Sequence, residues 1–577
     1  LCKGVNYYMK KRNTAIRALS VFLAYAMVYT SVPAAGQEMF GSGVNRETEE
    51  NTSDLKEFQS SQADEFGTDT GSDTELFGSD DAKQEFQDGE ATEENTDGIR
   101  YIKGRPLTEE ERKEELEPFK NLKPLDPGIE VESDLTSVYA AYGSRETAFP
   151  SSYDSRKEGL VTSVKNQNPF GTCWAFGMAA IMETSLLAQN KGTYDLSEEH
   201  LSYFFSNRQN DPLENTPDDV NSVLGDYHEI GGNDYLAAIY LSTWSGMTTE
   251  DDVPFPTDSL HQQNLSVQIP ESKAYNSVAY LKNASFSKYS EERMKEMLLN
   301  DHAVSIMLYM KDNYANPDTA AYCYPVGKSS STVINHIVTV VGWDDNYSKN
   351  NFLPVSNVTS DGAWIIKNSW GEKKGDGGYY YLSYQDPNIS KLVSAEAVTV
   401  SDQKYNNNYF YDGSSAISSI KVQPGQSVSV VYETKAGNGN EEALGEINVV
   451  TMNDNASYKI QVYTDLTDLS DPESGTAAYT QPCEVEQPVA GVQTVTVPEV
   501  MLKQGSRYSV VITNSGISYI SFGVEANAGY KTSGGSKWFT STAGIESGQT
   551  FHKGALATAE WSDGKTKNWT VRIKAQD

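Results

Sequence analysis

The pattern of apolar and polar positions divides this chain into four regions. An apolar run from Ala15 to Val32, broken only by single polar residues, follows a basic cluster at residues 10–12. Residues 37–98 carry 19 Asp or Glu and 3 Lys or Arg, without apolar periodicity. Helical and strand spacings both occur from about residue 148, and beyond about residue 400 only strand spacing continues. We therefore expect an export signal, an acidic disordered linker, a domain of helices and strands, and an all-β domain.

One helical segment begins directly at a cysteine. Apolar side chains recur at intervals of three and four residues from Trp174 to Leu187, which predicts a helix with Cys173 at its first turn. Unpaired N–H groups and the helix dipole favour a thiolate there, and the thiolate is the nucleophilic form. Gln167, six residues upstream, carries a side-chain N–H suited to an oxyanion. A lone cysteine beside aromatic residues is also typical of a buried apolar position, so the chemistry depends on further groups.

Acyl transfer by a cysteine also needs a base, and the base needs a neighbour that orients it. His336 opens an apolar run rich in β-branched residues, and Asn368 closes a second apolar run. Adjacent strands would present both side chains from their ends, one toward the thiol and one toward the imidazole. His302 opens a similar run and is the alternative base, but only His336 is followed by a Trp-flanked Asn on the next apolar run.

Together, these segments resemble the papain-like cysteine peptidases. The resemblance runs from about Phe149 to Tyr384, and its motifs fall in the order that the family shows. It implies an α+β fold with two subdomains, a helical left half and a β-barrel-like right half. The matching runs lie at residues 152–156, 159–162, 164–176, 195–199, 231–232, 335–343, 362–371 and 375–379.

The resemblance also implies a role for each matching side chain. Cys173 is the nucleophile, His336 the base, and Asn368 the residue that orients the base. Gln167 is the oxyanion donor. Trp370 shields the histidine–asparagine hydrogen bond and borders the bound substrate.

A substrate cleft follows from the same resemblance. Gly231 and Gly232 match the glycines that bind the substrate backbone. Met307 and Ile337 match residues that line the pocket for the side chain two residues before the cut. Neither of these two is charged, so the pocket is expected to prefer an apolar side chain.

Three features depart from the family pattern. Phe170 and Glu229 stand where the family usually has a disulfide, and Thr172 replaces a smaller serine before the nucleophile. Residues 345–360 lengthen the spacing between the predicted base and its orienting residue to 32 residues. Bacterial members, especially clostridial ones, have a similar insertion. It is also a candidate blocker of one end of the cleft, which would make the enzyme an exopeptidase.

The N-terminal regions are expected to regulate export and activity. Residues 1–35 are predicted as a signal peptide region, with Met9 as the start and small residues at 32–35 as the cleavage site. An uncleaved anchor is the alternative. Residues 36–98 form the acidic linker. Residues 99–147 are predicted as a propeptide, with a short helix opened by a capping box at residues 108–111.

The C-terminal region, residues 400–577, is predicted as a β-sandwich. Gly, Asn and Asp separate its apolar or alternating runs, which lie at residues 427–432, 447–450, 458–463, 494–497, 508–512 and 569–573. Its position behind residues 148–399 resembles the lectin-like module of clostridial cell-surface cysteine proteases. A cell-wall glycan is then the expected ligand, with Trp538, Trp561 and Trp569 as candidate sugar platforms, although core aromatics are the alternative for each.

Charge, cysteine content and histidine spacing limit which partners and cofactors are expected. The 577 residues carry a net charge of −34, which argues against nucleic acid or anionic lipid. The four cysteines, at positions 2, 173, 323 and 483, provide no disulfide framework. No histidine pair has metal-ligand spacing, so no metal or other cofactor is expected, except that the resemblance allows calcium in the C-terminal domain, with unidentified ligands.

The leading hypothesis is an exported cysteine endopeptidase of a bacterium, secreted or held at the cell surface. It would be made as an inactive precursor, act as a monomer, and hydrolyse extracellular or cell-surface polypeptides. Two alternatives remain open. One is a surface adhesin in which the peptidase fold is incidental, and the other is an exopeptidase of the same fold.

Overall fold

The computed structural model describes the chain from residue 91 onward, with gaps. The described residues are 91–94, 100–103, 130–135, 149–208, 210–216, 218–223, 227–228, 231–256, 265–328, 334–414, 418–435, 441–531, 537–556, 558–567 and 569–577. The predicted signal region and nearly all of the acidic linker lie outside them. The predicted capping box at residues 108–111 and the short helix that it opens also lie outside them. Among the described helices, none has the length and apolar character needed to cross a membrane.

Two short strands precede the first domain. β1 (Ala91–Glu94) pairs antiparallel with β2 (Arg100–Lys103), and β2 pairs antiparallel with a later strand, Leu265–Gln268. The prediction of disorder throughout residues 36–98 is wrong for β1, because pairing to a strand edge gives its backbone hydrogen-bond partners. β2 lies within the predicted propeptide.

The helices of the first domain place the cysteine. They are α1 (Cys173–Ala188), α2 (Glu198–Ser206), α3 (Asp234–Tyr240), which continues into a π-helical turn at Leu241–Ser245, and α4 (Glu291–Asp301). α1 confirms the predicted helix, and it is buried from Cys173 to Leu186. The side chains of Ser197, Asn233 and Ser290 accept first-turn N–H groups and so cap the other three helices.

The strands of the first domain form a sheet beside α1. In the order β6–β12–β7–β9–β10–β11–β8 all neighbours are antiparallel except β11 and β8, and β3 pairs with β9. The bounds are β3 (Ser152–Asp154), β4 (Val220–Val223), β5 (Leu265–Gln268), β6 (Ala279–Ser287), β7 (Val304–Leu308), β8 (Ala321–Tyr322), β9 (His336–Asp344), β10 (Ala363–Lys367), β11 (Tyr379–Ser383) and β12 (Ser390–Thr399).

The second domain consists of strands. They are β13 (Asn408–Tyr409), β14 (Ser418–Val422), β15 (Ser427–Glu433), β16 (Glu442–Thr451), β17 (Ala456–Thr464), β18 (Thr476–Ala477), β19 (Cys483–Gln487), β20 (Gly491–Leu502), β21 (Arg507–Asn514), β22 (Ile520–Glu525), β23 (Ala528–Lys531), β24 (Lys537–Thr542), β25 (Thr550–Lys553), β26 (Trp561–Asp563), β27 (Thr570–Val571) and β28 (Ile573–Gln576). Each predicted run falls in a strand, and the last run is divided between β27 and β28.

Two sheets of the second domain enclose a common core. One contains β13, β28, β16 and β20 together with β14, β22 and β27, and the other runs β18–β17–β21–β15–β25–β26, with β19 on β17. Alternate side chains of both sheets are buried in the space between the sheets. Tyr432, Tyr458 and Tyr508 are examples. The predicted fold class, a papain-like α+β domain followed by a β-sandwich, is confirmed.

Backbone pairing joins the two domains. β20 of the second domain pairs with β6 of the first through Gly491–Ser285 and Val492–Ala284, so one hydrogen-bonded sheet continues across the boundary. β4 of the first domain adds to the β23–β24 hairpin of the second. The domains therefore meet through ordered backbone hydrogen bonds and not through a flexible linker alone.

Candidate active site

Cys173 is the first residue of α1 and is 1 % exposed. Burial raises the pKa of its thiol to about 12, although backbone N–H groups, including that of Ile337, lower it. Burial in this arrangement thus opposes the thiolate that the start of a helix is expected to favour. The contact with Ile337 places the sulfur beside the residue that follows His336.

His336 and Asn368 meet at the ends of paired strands. His336 opens β9, and Asn368 directly follows β10. Their side chains join through Nε2 of His336 and Oδ1 of Asn368, 2.9 Å apart. Nδ1 of His336 is buried and has no hydrogen-bond partner among the described residues. Burial lowers the pKa of His336 to about 4, while the bond to Asn368 raises it, so the imidazole is neutral at pH 7.

Trp370 covers this pair. Its ring stacks on that of His336, with centroids 4.8 Å apart and planes 21° apart, and Trp370 is 8 % exposed. The arrangement matches the predicted shield for the histidine–asparagine hydrogen bond. A second role for Trp370 in binding substrate stays a prediction.

Gln167 is fixed at both ends of its side-chain amide. Its Nε2 donates to the carbonyl of Phe170 at 2.8 Å, and its Oε1 accepts from the hydroxyl of Ser369 at 2.6 Å. An amide nitrogen has two N–H groups, so one remains for an oxyanion. The backbone of Ser369 also binds this region, because its carbonyl accepts from the N–H of Gln167 at 2.8 Å.

The predicted substrate-binding glycines precede α3. Gly231 has a φ of +72°, which favours glycine, and a Cβ at Gly232 would lie 2.1 Å from the ring of Trp174. Both positions therefore exclude a side chain. Their contact with a substrate backbone stays a prediction.

The predicted specificity pocket has its two lining residues directly opposite each other. Met307 of β7 pairs with Ile337 of β9, and both are buried. Nδ2 of Asn233 lies 3.8 Å from the sulfur of Met307. The two apolar side chains thus share one face with a polar residue that the sequence analysis did not identify.

Asp234 adds a carboxyl group to this region. It is fully buried, its Oδ2 accepts from the hydroxyl of Ser305 at 2.7 Å, and its Oδ1 has no partner among the described residues. Ser305 lies two residues before Met307 on the same face of β7. Burial raises the pKa of Asp234 to about 7, although the bond from Ser305 lowers it. The only sequence signal is its place two residues after Gly232.

A group of charged side chains, largely buried except for Asp195, lies behind α1. Lys165 contacts Glu183, Asp195 and Glu198 at 2.7–2.9 Å, and Lys367 donates to Thr162 at 2.9 Å. A cavity of about 20 Å³ borders this group, α1 and Asn368, and is large enough for one water molecule. These residues pack against α1 and β10. They could not be predicted from the sequence, because no motif indicates that they contact one another.

The remaining candidates lie elsewhere. His302 ends α4, and its Nδ1 is 2.7 Å from the hydroxyl of Tyr153, so it does not join Asn368. Phe170 stacks on His228 at 4.2 Å in place of the family disulfide, and Glu229 lies outside the described residues. Cys173, Cys323 and Cys483 are not joined by disulfides in the described part of the chain.

The insertion at residues 345–360 begins where β9 ends. Because β9 runs from His336 to Asp344, its far end lies ~26 Å from the histidine. The insertion packs on the β8 region through Ser356, whose hydroxyl donates to the carbonyl of Cys323 at 2.5 Å. It therefore does not extend toward the end of the strand that carries His336.

No cluster of three or more His, Cys, Asp or Glu suited to a metal ion occurs within the described part of the chain. The arrangement instead combines a thiol at a helix start, a histidine–asparagine pair on neighbouring strands and a fixed glutamine amide. This combination is that of a papain-type cysteine peptidase.

Residues 149–400 match the papain family cysteine protease model, and residues 408–576 match the lectin-like domain model. The first domain therefore belongs to the papain family of cysteine proteases. Fruit bromelain of Ananas comosus is 25 % identical over 237 residues, which cover 41 % of this chain and 56 % of bromelain. Cysteine proteinase 1 of Entamoeba histolytica is 28 % identical over 234 residues, covering 40 % of this chain and 62 % of that protein. The matched region thus spans less than two thirds of either relative.

Solved structures extend the similarity to both domains. The cysteine protease and lectin-like domains of Cwp84, a surface layer associated protein of Clostridium difficile, give a TM-score of 0.62 at 20 % identity. That match covers 84 % of this chain and 99 % of the solved chain. Cwp84 after propeptide cleavage gives a TM-score of 0.59 at 22 % identity, covering 74 % and 99 %. These likenesses concern the fold.

Proposed function

We propose that the chain is a cysteine endopeptidase in which Cys173 attacks the peptide carbonyl. The observation that carries this proposal is the bond between Nε2 of His336 and Oδ1 of Asn368, which leaves Nδ1 for the thiol. His336 takes the thiol proton and later gives it to the leaving amine. Gln167 and the backbone N–H of Cys173 stabilise the oxyanion.

We also propose that the chain is made as an inactive precursor. The burial of Cys173 and His336 supports this, because a substrate carbonyl cannot reach a thiol that is 1 % exposed. Both groups are also held neutral, whereas attack requires the thiolate. We expect the precursor to become active by losing the residues before about 148.

An endopeptidase is favoured over an exopeptidase of the same fold. The candidate blocker, residues 345–360, leaves β9 at the end opposite His336. Residues 345–360 are therefore not placed to block the cleft next to His336. Polypeptides cut at internal bonds are therefore the proposed substrates.

Labelling with a thiol-directed epoxide tests the proposal. The processed chain should take up one equivalent at Cys173, and a mixed peptide library should then show internal cleavage. The Cys173→Ala variant is the matched control and should show neither result. A processed chain that labels only at Cys323 or Cys483 would contradict the proposed nucleophile.

A second candidate function is glycan binding by the second domain at the cell surface. Its match to the lectin-like family supports this function, as does the surface-layer association stated for Cwp84. Trp569 is 5 % exposed and belongs to the core, whereas Trp561 is partly exposed, with Lys553 5.3 Å from its ring centre. Trp561→Ala should reduce sedimentation with purified cell walls, and unchanged sedimentation would exclude this platform.

A further inference from the structure

A short piece of the predicted propeptide lies across the junction of the two domains. Residues 130–135 are referred to as the anchor segment. The surface that they contact consists of residues 452–455 and Tyr519 from the lectin-like domain and Ser287, Lys288 and Arg293 from the peptidase domain, and is referred to as the junction surface.

The lectin-like domain holds the anchor segment as an added strand. The N–H of Glu132 donates to the carbonyl of Met452 at 2.9 Å, and the N–H of Asp454 donates to the carbonyl of Glu132 at 3.0 Å. These bonds form a parallel bridge between Glu132 and Asn453. Main-chain pairing of this kind binds an extended peptide without depending on its side chains.

Side chains then select an acidic peptide. The amide of Asn455 donates to the carboxylate of Asp134 at 2.8 Å. The hydroxyl of Tyr519 donates to the carboxylate of Glu132, and the ammonium of Lys421 lies 3.6 Å from the same group. Two of the three carboxylates of the anchor segment, those of Glu132 and Asp134, therefore have donors from the lectin-like domain.

The peptidase domain contacts the opposite side of the anchor segment. The N–H of Lys288 donates to the hydroxyl of Ser133 at 2.9 Å, and the guanidinium of Arg293 donates to the carbonyl of Asp134 at 3.2 Å. Arg293 is 3 % exposed and also donates to the carboxylate of Asp454 at 3.1 Å. Arg293 thus joins the anchor segment to both domains.

We propose that the junction surface is a docking site for an extended acidic peptide and that the anchor segment is its occupant in the precursor. The lectin-like domain thereby holds the propeptide in place and slows its removal. This inference rests on the proposed synthesis as a precursor. It assigns the lectin-like domain a role in controlling the peptidase, apart from any glycan.

Hydrogen–deuterium exchange tests the docking on the full chain carrying Cys173→Ala, which cannot process itself. The double variant Tyr519→Phe and Asn455→Gly removes two donors of the lectin-like domain, and glycine accepts the φ of +58° at position 455. Amides of the anchor segment should exchange about tenfold faster, since two charge-assisted hydrogen bonds are lost. Unchanged exchange there would overturn the docking.

Two controls separate docking from general damage. Tyr479→Phe removes a surface hydroxyl that bonds the carbonyl of Pro498 at 2.9 Å in the same domain, and it should leave exchange in the anchor segment unchanged. Amides of the β6–β20 pairing should stay protected in all variants. Faster exchange in both places, or with Tyr479→Phe, would show domain loosening and contradict the inference.

The rate of maturation tests the regulatory part with Cys173 intact. The double variant should lose residues before about 148 at least threefold faster than the unmodified chain, and the processed forms should have equal kcat/KM on a short peptide. Equal maturation rates would overturn the control by the lectin-like domain. If no form matures, the precursor proposal fails, while the exchange result still decides the docking.

Discussion

The hydroxyl of Ser369 donates to Oε1 of Gln167 over 2.6 Å, and the N–H of Ser369 donates to Oδ1 of Asn368 over 2.8 Å. One residue therefore orients both the proposed oxyanion donor and the residue that orients His336. Gln167 and Ser369 are 202 positions apart, so the fold alone brings them together.

Loss of this hydroxyl should reduce turnover and leave substrate affinity nearly unchanged. Ser369→Ala removes one buried hydrogen bond, worth about 0.5–1.5 kcal/mol, so kcat should fall roughly two- to tenfold. Steady-state kinetics on a peptide substrate measures the effect. Ser369→Thr keeps the hydroxyl and should restore most of the rate. A change in KM alone would contradict an orienting role.

Substitution of the proposed nucleophile should reduce activity more than substitution of the orienting residue. Cys173→Ala deletes the attacking atom and should leave less than about 1 % of the activity. Asn368→Ala leaves the imidazole in place and should cost about 10- to 100-fold in kcat/KM. Peptide hydrolysis by the processed variants gives both values. A larger loss for Asn368→Ala than for Cys173→Ala would reverse the roles.

The preference two residues before the cut should depend on pH through Asp234. Burial raises the pKa of this carboxyl to about 7, so it is neutral below pH 7 and ionised above. A leucine at that substrate position should be preferred at pH 6, and the ratio of kcat/KM for lysine over leucine should rise as pH passes through 7.

The ratio of the two substrates isolates this effect, because ionisation of Cys173 and His336 affects both equally. Asp234→Asn cannot ionise and should give a ratio that is constant between pH 5.5 and 8.5. Library profiling at pH 6 and pH 8 provides the measurement. A rising ratio in Asp234→Asn would show that another group is responsible.

Stability of the second domain should depend on Asp412. Its carboxylate accepts from Arg572 at 3.0 Å and from Lys574, and all three side chains are fully buried. Asp412→Ala leaves two buried cations without their carboxylate, which typically costs 3–5 kcal/mol. Urea unfolding should show that loss.

An exposed ion pair serves as the control for this measurement. Glu433 contacts Arg507 at 2.8 Å, with both side chains more than two fifths exposed. Glu433→Ala should change the free energy of unfolding by at most about 1 kcal/mol. Equal losses for the two variants would mean that burial of the Asp412 group is not what matters.

The sequence identified those elements whose signal is local. The helix after Cys173 and the strands of the sandwich follow from spacing, and each is present. The relation between His336 and Asn368 was predicted from two strand ends and a resemblance, and their contact is present at 2.9 Å. Their catalytic roles stay predictions.

Features that depend on tertiary contacts were not predicted. The pKa of Cys173 is raised by burial, which helix position alone does not determine. Asp234 reaches Ser305 across 71 positions, and β1 owes its strand to pairing with β2. In each case the outcome depends on a partner that no spacing pattern identifies.

The pairing of β6 with β20 sets an order of events during synthesis. The strand that contains Ser285 cannot complete its pairing until Gly491, about 200 residues later, has been synthesised. At roughly 5–20 residues per second, this corresponds to a delay of ~10–40 s. The edge of the peptidase sheet stays open throughout that interval. A chain that stops before β20 would therefore present an unpaired strand to other chains. Truncated forms of this kind should aggregate and show little peptidase activity.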